Sequence, residues 1–137
     1  MLQVPRLYSL YRKAKHIKNF QDMLENIFMP LFEVTQNPKS DPALHYFLET
    51  IVGIDSVDDE SRPEQKSLAA GPGGLPAPDQ WNHAENPPYG YWMYYMYVLL
   101  CCHLLSVLVF VSPSHTHINP VFFIRSLLPP LPLTKSK

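Results

Sequence analysis

Fifteen prolines in 137 residues, eleven of them gathered in two blocks at Arg62 to Pro88 and Ser112 to Pro132, restrict more than any other feature where this chain can build regular structure. A prolyl nitrogen carries no hydrogen and its ring fixes φ, so neither block can be a helix interior or a central strand. The core must come from the first sixty or so residues and from the apolar run between the blocks. With 46% hydrophobic residues the chain can bury one core. Its 11 Lys and Arg against 12 Asp and Glu steer it towards no polyanion, so nucleic acid is not an expected partner. Cys101 and Cys102 are adjacent, which suits neither a disulfide framework nor the spacing of a zinc site. They point to a reducing compartment, and no secretory signal is evident at Met1, so a cytosolic location is expected.

Val4 to Leu10 reads as a short strand, followed by a basic turn with Arg12, Lys13, Lys15, His16 and Lys18. No glycine-rich loop or helix N-terminus organises that turn around a phosphate, and it is read as a solvated connection. Phe20, Met23, Leu24, Ile27, Phe28, Leu31 and Phe32 then fall on one face of a helix capped by Asn19. Pro30 lies inside this pattern and is expected to kink or split the helix. Asp41 as N-cap and Pro42 in the first turn open a second helix with Leu44, Phe47, Leu48 and Ile51 on one face. His45 lies off that stripe and reads as a surface residue, since one histidine makes no metal site.

Gly53 ends this helix, and Ile54 to Val57 is a short strand that runs into Asp55, Asp58, Asp59 and Glu60 in the sequence G-I-D-S-V-D-D-E-S. Burying an unpaired carboxylate is very costly, so these acids are either solvated or held for chemistry. Helix, glycine, strand and polar cluster form the unit of a parallel α/β sheet, whose functional residues stand past the carboxyl ends of the strands.

Residues 62–85 form a Gly/Pro-rich loop that reads as an insertion. A helix start recurs at Asn86-Pro87-Pro88, and Tyr89, Tyr91, Trp92, Tyr94, Tyr95 and Tyr97 follow it. No arginine or lysine is interleaved with these aromatics, which favours core packing or a membrane interface over stacking on bases. Trp92 to Val111 is twenty residues without a formal charge, long enough to span a bilayer, with Arg125, Lys135 and Lys137 beyond it. His115 and His117 form an H-x-H pair between prolines with no third ligand nearby, and no metal is expected there.

Four stretches, Q-V-P-R-L-Y from Gln3, N-F-Q-D-M-L-E-N-I-F-M-P-L-F-E from Asn19, G-I-D-S-V-D-D-E-S from Gly53 and N-P-P-Y-G-Y-W-M-Y-Y-M-Y from Asn86, together resemble the AMP deaminase family, in order and at compatible spacing. The resemblance implies a zinc-dependent aminohydrolase on a TIM-type barrel, in which a metal-bound hydroxide attacks C6 of adenine and converts AMP to IMP with loss of ammonia. Zinc lowers the pKa of bound water to about 7, which supplies the nucleophile. In that family an H-x-H zinc pair and a phosphate loop precede the first stretch. H-C-G-E-A-G, later histidines and a zinc-binding aspartate follow the last, and none of these motifs occurs in this chain at those places.

The fold expected is therefore α/β, an incomplete fragment of a (β/α)8 barrel over residues 1–97 with a divergent hydrophobic, helical tail over 98–137. A closed barrel takes about 250 residues. Zinc is the family's cofactor, and none is expected to bind this chain. No catalytic residue is assigned. Asp58 is the one substrate-binding candidate, through a backbone N–H near the end of its strand that approaches a ring nitrogen of the purine. The chain alone is expected to be inactive, with association to full-length deaminase subunits, or a single membrane pass through 92–111, as the alternatives.

Overall fold

The computed structural model describes residues 1–59, 61 and 74–110, the last five of these by backbone alone. Six elements follow in order: β1 (Leu2–Pro5), α1 (Tyr8–Lys13), α2 (Phe20–Gln36), α3 (Pro42–Thr50), β2 (Ile54–Val57) and α4 (Tyr89–Phe110). The two strands pair in parallel, with Leu2 opposite Ile54 and Pro5 opposite Val57. A parallel pair needs a long crossover, and α1, α2 and α3 supply it. The result is a helical layer on a small parallel sheet.

The chain leaves β1 sooner than its sequence suggests. Val4 to Leu10 is not one strand: extended structure stops at Pro5, and Tyr8 begins a helix that turns at Ala14. Tyr8, fully buried, explains the turn, because its hydroxyl donates to the carbonyls of Trp81 and His83 at 3.2 and 3.0 Å. Arg12 and Lys13 fall in the last turn of α1, where positive charge suits the helix dipole.

Helix α2 forms on its predicted face. Phe20, Met23, Leu24, Phe28, Leu31 and Phe32 are buried, Ile27 packs against them, and the Asn19 side chain accepts from the N–H of Asp22 at 2.9 Å. Pro30 does not split it. The proline and Asn26, whose carbonyl loses its intrahelical donor, are both exposed, so water can serve that carbonyl. Helix α3 begins as predicted, with the Asp41 carboxylate accepting from the N–H of Leu44 at 2.9 Å. Its apolar face is another matter. None of its residues is buried; Leu44 and Leu48 reach the core edge, whereas Phe47 stays 46% exposed.

The core lies between α2 and α4, and eight of its sixteen buried residues are aromatic. The Phe20 ring sits 5.5 Å from Tyr91, 5.8 Å from Trp92, 5.9 Å from Tyr95 and 6.0 Å from Tyr8. Edge and tilted contacts of this kind add to the stabilisation from area alone. The loop before α4 is no mere insertion in its described part. Trp81 is buried against Tyr91, and the carbonyls of Trp81 and Pro78 accept from the N–H groups of Phe20 and Gln21 at 3.0 and 3.1 Å. This loop therefore caps the N-terminus of α2, where first-turn donors have no intrahelical partner.

Candidate membrane span 92–111 is not supported: among the described residues no helix is long and apolar enough to cross a membrane. Trp92, Tyr95, Met96, Leu99 and Cys102 face the protein core instead. Residue 111 lies outside the described residues, as do His115, His117, Arg125, Lys135 and Lys137.

Candidate functional site

Both strands end at the same level, and the next residue of each is charged. Since Pro5 stands opposite Val57, parallel register carries Arg6 to the side of Asp58. The Arg6 N–H donates to the Val57 carbonyl at 3.0 Å, extending the ladder by one bond. The guanidinium then closes on the carboxylate, Nη2 to Oδ2 at 2.5 Å, with only 9% of the Arg6 and 15% of the Asp58 side chain exposed. Nη1 donates to the Pro87 carbonyl at 2.7 Å, and the guanidinium carbon lies 5.7 Å from the centre of the Tyr89 ring. A buried ion pair needs further partners for its charge, and here the Pro87 carbonyl takes one more N–H while the Tyr89 ring faces the cation.

One rim thus joins three separated segments, the end of β1, the end of β2 and the start of α4. Ser9 strengthens the third link, its N–H donating to the Asn86 side chain at 2.8 Å.

The four acids of the Gly53 to Ser61 stretch have different fates. Asp55 lies within β2 opposite Gln3, and Asp58 is held by Arg6. Asp59 accepts from the N–H and hydroxyl of Ser61, a local turn. Glu60 lies outside the described residues. The three described acids are neither simply solvated nor gathered, and the one at the strand end is neutralised by its neighbour. Arg6 is the residue that sequence reading missed, although a charged residue after each strand of a parallel pair was the available signal.

Away from this rim, His103 is buried between α2 and α4. Its Nε2 lies 2.9 Å from the Thr35 hydroxyl, which donates to the Leu31 carbonyl at 2.7 Å, and its ring meets the Phe32 ring edge-on at 5.5 Å. Burial pushes its pKa below the usual 6.5, against a raising bond to the Leu31 backbone. Burial likewise raises the Cys102 thiol and pushes the Tyr95 phenol up to about 12. Tyr91 is raised too, chiefly by burial, and donates its hydroxyl to the Pro76 carbonyl at 2.6 Å. These groups are packed and neutral.

His45 pairs with Glu49 at 3.5 Å on the surface of α3. Among the described residues no three His, Cys, Asp or Glu side chains come together as a metal site. Among the described donors, His103 is engaged by Thr35 and Asp58 by Arg6, so neither is available to hold a zinc ion.

A family model described as AMP deaminase matches residues 1–106. The AMP deaminase of Schizosaccharomyces pombe is 47% identical over 97 residues, which is 71% of this chain and 11% of that protein. The AMP deaminase of Dictyostelium discoideum is 50% identical over 100 residues, 73% of this chain and 12% of that protein. AMP deaminase 3 of Homo sapiens is 47% identical over 97 residues, 71% of this chain and 12% of that protein. The chain therefore spans 11–12% of the length of these relatives.

Proposed function

The chain belongs to the AMP deaminase family, and from that premise we propose that it is a segment of the deaminase barrel, contributing two neighbouring strands and their helices to its rim. The observation that carries the reading is the parallel pair β1 and β2 ending together at Arg6 and Asp58, since parallel barrels build their sites at the carboxyl ends of strands. In the whole enzyme the reaction is zinc-dependent hydrolysis of AMP to IMP and ammonia in the cytosol. The zinc ligands and catalytic groups belong to parts of the enzyme outside the stretches matched here.

Asp58 serves this site through its main chain. With its carboxylate bound to Arg6, the side chain is turned to the protein, and the backbone N–H is the group left to meet a ring nitrogen of the purine. By itself the chain does not deaminate AMP. The test is to incubate the purified polypeptide with zinc and AMP and follow the ultraviolet change of the base. No conversion is expected, and measurable turnover overturns the reading.

A second reading is a non-catalytic role, association with full-length deaminase subunits. It is favoured by an apolar groove of about 580 Å³ lined by Leu48, Val52 and Ile54 on one side and Leu100 and Leu104 on the other. Val52 is 93% and Leu104 54% exposed, and contiguous apolar surface of this kind marks interaction sites. Co-elution of the chain with a full-length AMP deaminase over a range of concentrations supports it, and separate elution throughout rejects it.

A further inference from the structure

We infer that Arg6 is a positioning residue for the purine-facing end of β2 and not a ligand of the substrate phosphate; the inference rests on the Asp58 contact proposed above. An arginine at the carboxyl end of a barrel strand, in an enzyme of a phosphorylated substrate, invites the opposite reading. Its surroundings decide against it. Arg6 is nine-tenths buried, and its two terminal nitrogens are directed at the Asp58 carboxylate and the Pro87 carbonyl. The Tyr89 ring lies over the guanidinium. A phosphate would have to displace a carboxylate already paired at 2.5 Å, and the pair presents almost no net charge to attract one.

What the arrangement does well is hold geometry. Arg6 grips the strand end at Val57 and Asp58 twice, by its backbone N–H on Val57 and by its side chain on Asp58, while its other terminal nitrogen takes the carbonyl that leads into α4. A planar fork with donors in fixed directions can fix three segments at once. The lysine ammonium, a point charge on a flexible stem, cannot. The Asp58 N–H is therefore held in place before any ligand arrives, which is how a backbone donor becomes selective.

The test uses the whole 137-residue chain, nitrogen-15 labelled, titrated separately with AMP and adenosine while the Asp58 amide is followed. Arg6→Lys and Arg6→Gln are each expected to weaken both ligands by the same factor, about tenfold, and to speed hydrogen exchange at Asp58 and Asp59 by about tenfold with helix content unchanged. Should Arg6→Gln fail to fold, the double variant Arg6→Gln/Asp58→Asn, which leaves no buried charge unpaired, carries the same comparison. A loss for AMP with adenosine unaffected would make Arg6 a phosphate ligand and overturn the inference, as would unchanged exchange in a folded variant. If the wild-type Asp58 amide answers neither ligand, the purine contact is wrong, and the exchange rates alone decide whether Arg6 holds the strand end.

Discussion

The indole N–H of Trp92 donates to the hydroxyl of Ser56 at 2.6 Å, tying the first turn of α4 to the middle of β2. Trp92 is fully buried, so its donor has no access to water once the hydroxyl is removed. An unsatisfied buried donor costs about 1–3 kcal/mol. Ser56→Ala is expected to lower stability by about that amount, read as a lower urea midpoint with an unchanged slope. Ser56→Thr keeps the hydroxyl and is expected to lose less.

Trp81 joins the loop before α4 to the aromatic core and brings the carbonyl that accepts from Phe20. Trp81→Ala removes a large buried ring and loosens that cap together. The expected cost is about 3–5 kcal/mol, within reach of the whole stability of so small a chain. Loss of cooperative thermal unfolding in Trp81→Ala, with Trp81→Phe intermediate between it and the wild type, is the measurement. Equal melting of all three proteins would mean that this loop does not support the core.

Helices α2 and α3 with their N-caps and the second strand were legible because each rests on local chemistry: a 3.6-residue apolar period in α2, asparagine and aspartate at the two N-caps, glycine before β2. What was not legible depends on partners distant in sequence. Tyr8 becomes helical because its hydroxyl reaches carbonyls some seventy residues away, and Trp81 is core only because Tyr91 lies against it. The candidate site shows the same division. The location past the β2 strand end could be read from a run of acids, but Arg6 becomes part of it only through the parallel register.

The two caps are expected to differ in consequence. Asn19→Ala removes the acceptor for Asp22 in a helix whose other turns are anchored in the core, so the loss is about 1 kcal/mol of global stability. Asp41→Ala removes the acceptor for Leu44 in α3, which has no buried residue to hold it. There the expected effect is local. Hydrogen exchange in α3 rises while the urea midpoint moves little, because elements with few buried contacts open independently of the core. Equal shifts of the midpoint in both variants would contradict this difference in anchoring.

His103 is expected to make stability fall with acidification. Its folded-state pKa is depressed below 6.5 chiefly by burial, so near and below that pH the unfolded chain takes up a proton that the folded chain refuses. Stability rises with pH wherever the unfolded state binds more protons. The contribution is therefore fully present above pH 6.5, declines as pH falls through the window between 6.5 and the lowered folded value, and levels off beneath it. The Thr35 hydroxyl proton is committed to Leu31, so Nε2 is already the donor to Thr35 in the neutral ring and protonation adds its proton at Nδ1. That leaves the hydroxyl lone pairs as acceptors, so the bond can survive and the penalty is mainly desolvation of the charge. His45 and Glu49 line the same groove, but both are substantially exposed and form a weak surface pair. In urea titrations from pH 7.5 down to pH 5, the wild type is expected to lose more stability than His103→Gln, which keeps a polar side chain of similar size without titrating. A variant whose stability falls as steeply as the wild type's over this range would assign the slope to other groups.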